Sequence, residues 1–92
     1  MSAAARIEAK LNSALAPVRL SVTDDSAKHA GHAGARPGGE THFTVEIVSA
    51  AFAGESRVAR HRRVYQLLAD EIAGGVHALA VKALTPEEDR AG

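Results

Sequence analysis

The spacing of apolar residues along the chain predicts the order helix, strand, strand, helix, strand and short helix. Apolar residues three and four apart indicate helices, whereas alternation of apolar and polar residues indicates half-buried strands. The predicted bounds are a helix over 3–16, a strand over 18–23, a loop over 24–40, a strand over 41–49, a turn over 50–55, a helix over 56–73, a strand over 76–84 and a short helix over 86–91. We expect these elements to form a single domain, 1–92, because a chain of this length builds one small core.

The predicted helix over 56–73 is the longest amphipathic segment. Ser56 is suited to cap its first turn, and Gly74 with Gly75 is suited to end it. Five residues at three- and four-residue spacing define the face that we expect to meet the core: Val58, His61, Tyr65, Leu68 and Ile72. The opposite face, which we expect to be solvated, carries Arg60, Arg63, Gln66 and Asp70.

The other elements supply the rest of the predicted core. The core-facing side chains are Ile7, Leu11 and Leu15 in the first helix, Val18, Leu20 and Val22 in the first strand, and Phe43, Val45 and Ile47 in the second. Phe52 is expected to fill the junction before the long helix. Thr85, Pro86 and Glu88 have the spacing of a capping box at the start of the last helix.

The connections predict how the strands pair. The first two strands are joined by the loop and form an antiparallel pair, whereas a crossover through the long helix makes the second and third strands parallel. The predicted fold is therefore α+β, a three-stranded mixed sheet with helices packed on one face. The loop over 24–40 is rich in glycine, and loops of this length are uncommon inside a compact domain unless they are functional or mobile.

Composition excludes several classes of function. Eleven basic and eleven acidic residues cancel, which argues against a protein that binds nucleic acid through a strong cationic excess. The absence of cysteine excludes disulfides, thiolate metal sites and cysteine nucleophiles. Without paired carboxylates, a serine nucleophile motif or a phosphate-binding loop, we expect a protein that is not an enzyme. No apolar run has the length of a signal peptide or membrane span, so a cytoplasmic protein without membrane contact is expected.

Five histidines are the main candidates for chemistry. His29 and His32 are three residues apart in the loop and have the spacing to share a metal ion, but a closed zinc site normally takes four ligands. The alternative is a polar loop that contains histidine by chance. We expect structural roles for His42, on the outward side of its strand, and for His61, partly buried on the long helix. His77 opens the last strand.

A basic cluster on the long helix comprises Arg57, Arg60, Arg62 and Arg63. It forms a local patch that suits phosphate or an acidic protein surface. The alternative is an ordinary solvated helix face, whose charge is balanced by acidic residues elsewhere in the chain.

The order and spacing of several short segments resemble the BolA family over nearly the whole chain. The matching segments are Val22-Thr23-Asp24-Asp25-Ser26, His29, His32, Gly39-Glu40-Thr41-His42-Phe43, Ile47-Val48-Ser49, Phe52-Ala53-Gly54, Arg60-His61-Arg62, Val76-His77-Ala78-Leu79-Ala80 and Thr85-Pro86. The resemblance implies a helix–strand–strand–helix–strand fold similar to the type II KH domain, in agreement with the order predicted from periodicity.

The resemblance also implies a partner. Proteins of this family pair with monothiol glutaredoxins and share a [2Fe–2S] cluster, for which the glutaredoxin cysteine and glutathione supply sulfur and the BolA-like protein supplies histidine. His77 matches the family's ligand before the last strand. The second ligand comes from the loop, where His29 and His32 are both open, and the chain alone is expected to hold no cofactor. Because imidazole must be neutral to ligate, we expect cluster retention to weaken as the pH falls through the histidine range.

The family implies a second role, regulation of transcription through DNA binding at the surface from Phe52 to Arg63. KH domains clamp nucleic acid with a GXXG loop between two helices. Gly31-His32-Ala33-Gly34 fits that string but lies between two predicted strands, and no such string lies at 52–56. The cluster-sharing role is therefore preferred.

Overall fold

The computed structural model of the protein describes residues 2–25 and 42–91. Their elements are α1 (Ala3–Leu15), β1 (Arg19–Asp24), β2 (His42–Val48), a 3₁₀ turn (Ala50–Phe52), α2 (Arg57–Leu67), α3 (Ala69–Ala73), β3 (Ala78–Leu84) and α4 (Pro86–Ala91). The predicted order is found in this part of the chain, except that the long helix is divided in two. Nearly all of the predicted loop over 24–40 lies outside the described residues.

Within the described residues the sheet has the strand order β1–β2–β3. β1 runs antiparallel to β2, with Leu20 opposite Ile47, and β2 runs parallel to β3, with His42 opposite Ala78. Parallel neighbours require a crossover connection, which α2 and α3 provide. The predicted α+β fold with a three-stranded mixed sheet is confirmed.

The helices cover one face of this sheet. In β2 the alternate residues Phe43, Val45 and Ile47 are buried, whereas Thr44 between them is exposed. The buried helix side chains in the same cluster are Ile7, Leu11 and Leu15 from α1, Val64 from α2, and Leu68 between α2 and α3. The predicted core stripes of α1 and β2 are therefore confirmed. Phe52 is fully buried, as predicted for the junction before α2.

Side-chain caps fix the beginnings of α2 and α4. The Ser56 hydroxyl accepts a hydrogen bond from the Ala59 N–H at 3.1 Å, as predicted for an N-cap. The Thr85 N–H donates to Glu88 Oε1 at 2.8 Å, and the Glu88 N–H donates back to Thr85 Oγ1 at 3.2 Å. The predicted capping box is therefore present at α4.

The predicted helix over 56–73 is not continuous. α2 ends at Leu67, Leu68 is a turn residue with a ψ of 16°, and α3 resumes at Ala69. The Leu68 side chain is nevertheless 1% exposed, so this turn still contributes to the core. Gly74 follows the end of α3 and donates its N–H to the Asp70 carbonyl at 2.9 Å.

The predicted inward face of the long helix is wrong for most of its members. Val58 is 61% exposed and Tyr65 is 42% exposed, and His61 is exposed as well. Leu68 is buried and Ile72 is half-buried, so the prediction holds only near the break between the two helices. The stripe at three- and four-residue spacing is real, but along α2 it faces solvent.

Arg60, predicted on the solvated face, is 5% exposed. Its guanidinium tolerates burial because the Glu88 carboxylate accepts two hydrogen bonds, at 2.6 and 3.2 Å, and the Ala83 carbonyl accepts another at 3.0 Å. The Glu55 carbonyl accepts from Nε at 3.0 Å. The buried positions of the two helices and the turn between them are Arg60, Val64, Leu68 and Glu71.

Two strand beginnings also differ from the prediction. Val18, predicted to point inward, is 71% exposed because it precedes β1, which begins at Arg19. β3 begins at Ala78, two residues later than predicted. Val76 instead donates its N–H to the Glu71 carbonyl at 3.1 Å and so belongs to the end of the helical segment.

Candidate functional site

His77 lies in the short connection between α3 and β3. Gly75 turns the chain there with a φ of 127°, in the region that favours glycine. Val76 is buried and bonded to the Glu71 carbonyl, and β3 begins directly after His77. His77 itself is exposed. Its imidazole is therefore presented to solvent by a backbone that is anchored on both sides.

The imidazole of His42 stacks on that of His77. The ring centroids are 6.4 Å apart, and the ring planes are 20° from parallel. His42 is the first residue of β2 and lies opposite Ala78, the residue after His77. The sequence predicted a structural role for His42 and did not place it beside His77. The missing information was the parallel register of β2 and β3, which brings the beginnings of both strands to one end of the sheet.

The predicted loop joins the fold at this same end of the sheet. The Asp25 N–H, at the end of the first described range, donates to the His42 carbonyl at 2.7 Å. The end of β1 and the beginning of β2 therefore lie side by side, next to His77. His29 and His32 lie between these two points and outside the described residues. Their convergence with His77 stays a prediction.

The imidazole nitrogens of His42 and His77 are donors that this end of the sheet offers to a metal. Within residues 2–25 and 42–91, no group of three or more histidine, cysteine, aspartate or glutamate side chains is arranged to hold an ion. The sequence has no cysteine. Imidazole is a good ligand for zinc, copper, nickel and iron, but two nitrogens leave most coordination positions to other molecules. This donor set fits a site that another molecule completes.

The outward side of α2 forms a second feature near this end of the sheet. A groove of about 260 Å³, called the α2 groove below, is lined by Val58, His61, Arg62 and Tyr65. The Tyr65 hydroxyl donates to the Leu79 carbonyl at 2.5 Å, which links the groove to β3 two residues after His77. The residues that the sequence assigned to the core thus form a partly apolar surface.

The four arginines of α2 differ in their partners. Arg60 is buried against α4, and Arg63 Nη2 lies 2.8 Å from Glu55 Oε2. Arg57 and Arg62 are exposed, and none of the ion pairs found among the described residues involves them. The predicted basic cluster therefore leaves two arginines for an external ligand.

Glu88 holds Arg60 in place as an ionised carboxylate. Hydrogen bonds from the Arg60 guanidinium, together with the bond from the Thr85 N–H, lower the pKa of Glu88 to about 2 from its ordinary value of 4.5. The pair is therefore fully charged at neutral pH, and the guanidinium of Arg60 is engaged within the chain.

Comparison with known proteins points to one family. The family model for BolA-like protein matches residues 11–88. The solved BolA domain of SufE1 from Arabidopsis thaliana is 51% identical with a TM-score of 0.86, covering 96% of each chain. BolA1 from Arabidopsis thaliana is 49% identical with a TM-score of 0.84, covering 92% of this chain and 93% of that one. BolA1 from Mus musculus is 43% identical with a TM-score of 0.80, covering 97% of this chain and 69% of that one.

Two of the curated relatives are longer proteins. SufE-like protein 1, chloroplastic/mitochondrial, from Arabidopsis thaliana is 53% identical over 87 residues, which are 90% of this chain and 24% of the relative. Protein BOLA1, chloroplastic, from Arabidopsis thaliana is 49% identical over 87 residues, which are 92% of this chain and 54% of the relative. This chain thus spans about a quarter and about half of their respective lengths.

Neither described range contains a helix with the length and apolarity needed to cross a membrane. The names of the two Arabidopsis relatives refer to the chloroplast and mitochondrion, so the cytoplasmic location expected from the sequence stays a prediction.

Two findings establish the family of this chain. The matched family model covers most of the sequence, and the solved relatives share the fold over nearly its whole length. The chain belongs to the BolA-like protein family.

Proposed function

We propose that this protein pairs with a monothiol glutaredoxin and supplies histidine to a [2Fe–2S] cluster held between the two proteins. Its role is the trafficking or sensing of iron–sulfur clusters, without enzymatic activity. The observation that carries the proposal is the exposed imidazole of His77, at the end of the sheet where the segment containing His29 and His32 is joined. This placement allows His77 and a loop histidine to approach one cluster.

The donor chemistry favours a shared cluster over one held by this chain alone. Cluster irons are mostly held by thiolates, and the chain has none. Sulfur must therefore come from the partner, through the active-site cysteine of the glutaredoxin and the thiolate of its bound glutathione. Histidine in place of cysteine on one iron raises the reduction potential, as in Rieske centres. The cluster is cargo in this role.

The α2 groove provides a second contact with the same glutaredoxin. Single exposed apolar residues are ordinary, but Val58 and Tyr65 lie together in one groove, and Tyr65 is bonded to β3 beside the histidine connection. Arg57 and Arg62 add positive charge without an ion-pair partner among the described residues. The matching surface on the glutaredoxin is therefore apolar with an acidic rim, since complementary charge speeds association and fixes orientation.

DNA binding through the surface from Phe52 to Arg63 has less support. Arg60 is buried against Glu88, so this arginine of the predicted cluster has its partner within the chain. The formal net charge is zero, whereas affinity for duplex DNA depends on released counterions and thus on cationic excess. A salt-dependent electrophoretic mobility shift of duplex DNA that is lost on combined Arg57→Gln and Arg62→Gln substitution would support DNA binding.

Reconstitution of the heterocomplex tests the proposal. The protein is mixed with glutathione and a cluster-loaded monothiol glutaredoxin, and visible circular dichroism is recorded alongside size-exclusion chromatography. We expect a heterodimer whose visible spectrum differs from that of the loaded glutaredoxin. His77→Asn removes this difference, whereas Lys82→Asn, an exposed substitution on β3, retains it. A wild-type spectrum in the His77→Asn complex contradicts the assignment of His77 as a ligand.

A further inference from the structure

We propose that His42 and His77 together form a two-nitrogen site for a divalent transition-metal ion in this protein without its partner. The stacked pair of imidazoles at one end of the sheet carries the inference. It goes beyond the cluster-sharing role, because it concerns a single ion, needs no sulfur and assigns a ligand to His42. The two sites share only His77.

The separation of the two rings suits a shared ion. A metal–nitrogen bond of about 2.0–2.1 Å places each ring centroid about 3.2 Å from the ion, so two imidazoles on one ion have centroids roughly 4.5–6.4 Å apart, and the largest value requires the rings to lie on opposite sides of the ion. The observed separation is 6.4 Å, with the ring planes 20° from parallel. Binding therefore requires rotation about side-chain torsions, which brings the rings closer and directs one nitrogen of each to a common point.

The backbone holds both histidines in place before an ion binds. His42 lies opposite Ala78 in the parallel register, which fixes the distance between the backbone of His42 and that of His77. The His42 carbonyl also accepts a hydrogen bond from the Asp25 N–H at 2.7 Å. Because the backbone positions are already fixed, binding restricts only the side-chain torsions of the two histidines, so even two protein ligands give measurable affinity.

The chemistry of the pair selects the class of ion. His77 is exposed and His42 is half-buried, so an ion and its water ligands can reach both rings. Neutral imidazole favours Cu²⁺, Ni²⁺ and Zn²⁺ over Mg²⁺ and Ca²⁺, which prefer oxygen. No third metal-ligating side chain joins the pair among the described residues. The expected order of affinity is that of simple nitrogen ligands, with Cu²⁺ above Ni²⁺ and Ni²⁺ above Co²⁺.

Titration of Ni²⁺ into the full chain tests the site. The background protein carries His29→Asn and His32→Asn, which removes competition from the loop histidines, and isothermal titration calorimetry measures the affinity. We expect one bound ion per chain in this background. Adding His42→Asn or His77→Asn weakens binding roughly tenfold or more, since loss of an outer-shell partner alone costs about 10- to 100-fold. His61→Asn, which changes an exposed histidine on α2, is the matched control and leaves the affinity unchanged.

Nuclear magnetic resonance of the background protein gives an independent readout that requires no further substitution. Bound Ni²⁺ is expected to broaden the ring resonances of His42 and His77 and to spare those of His61. Absence of Ni²⁺ binding in the background protein overturns the proposal, as does undiminished affinity on adding His42→Asn. Both assays lack glutaredoxin and iron, so a negative result in them does not bear on the cluster-sharing role, which reconstitution of the heterocomplex tests separately.

Discussion

The guanidinium of Arg60 and the carboxylate of Glu88 are joined at two points, with Nη1–Oε1 at 2.6 Å and Nη2–Oε2 at 3.2 Å. The side chain of Arg60 is 6% exposed and that of Glu88 is 37% exposed. Glu88 Oε1 also accepts the Thr85 N–H, so one carboxylate neutralises a buried cation and caps α4. This pair links the inward face of α2, which also buries Val64, to α4, while the apolar stripe of α2 lies on the outward side.

Arg60→Ala is expected to lower the free energy of unfolding by about 3 kcal/mol. Removing one partner from a buried ion pair typically costs about 3–5 kcal/mol, and the lower value is expected because the Glu88 side chain is partly exposed to solvent. Urea denaturation at neutral pH measures the change. Arg63→Ala is the control, since Arg63 pairs with Glu55 at the surface and such pairs contribute less than about 1 kcal/mol. Equal losses in the two variants would contradict the structural role of Arg60.

Acidic pH is expected to weaken the contribution of Glu88 to the stability of the folded state. The pKa of Glu88 in the folded protein is about 2, below its ordinary value of 4.5, so the ionised carboxylate stabilises the folded state. This stabilisation is complete above about pH 4.5 and is lost progressively as the pH falls from there towards 2.

Comparison of the wild type with Glu88→Gln by urea denaturation at several pH values measures this effect. The difference in unfolding free energy should be constant near neutral pH and shrink below pH 4.5. Glu87→Gln changes an exposed glutamate on the same helix and should give no such dependence. A difference between wild type and Glu88→Gln that persists unchanged to about pH 3 would rule out this linkage.

Val58→Asp is expected to weaken association with the glutaredoxin by roughly tenfold, because it places a carboxylate in the α2 groove opposite an acidic surface. Isothermal titration calorimetry without the cluster measures this contact separately from ligation. Val18→Asp is the matched control: Val18 is also an exposed apolar residue, but its N–H bonds to the Val48 carbonyl, at the other end of β2 from His42. Equal affinities for the two variants would remove the α2 groove from the interface.

Alternation along a strand predicted burial reliably where one face of the sheet meets the core. Phe43, Val45 and Ile47 are all buried, and the four-residue spacing of Ile7 and Leu11 likewise predicted the buried face of α1. These patterns succeed because each buried side chain is apolar and has no need of a specific distant partner.

The same reasoning failed on α2 because periodicity identifies a stripe without indicating what covers it. Burial of Arg60 depends on Ala83 and Glu88, which lie 23 and 28 residues further along the chain. Without these acceptors an arginine belongs in solvent, so the sequence favoured the opposite face. The outward stripe containing Val58 and Tyr65 then has the same spacing as a core stripe, although it is a surface available to a partner.

The site was predictable only in part. The position of His77 before the last strand was found from the resemblance to the family, and the structure shows that side chain exposed. The proximity of His42 to His77 was not predicted, because 34 residues lie between them in the sequence and only the parallel register brings the two together. Aligning the beginnings of the second and third strands in parallel places His42 beside His77.

Pulsed electron paramagnetic resonance on the reduced heterocomplex tests the central claim most directly. Histidine labelled with ¹⁵N is incorporated into this protein alone, and the glutaredoxin and glutathione carry natural nitrogen. We expect ¹⁵N hyperfine coupling to the reduced [2Fe–2S] cluster, with the contribution of His77 lost in His77→Asn. Absence of ¹⁵N coupling would mean that other molecules supply all of the cluster ligands. That result would contradict the donation of nitrogen by this chain.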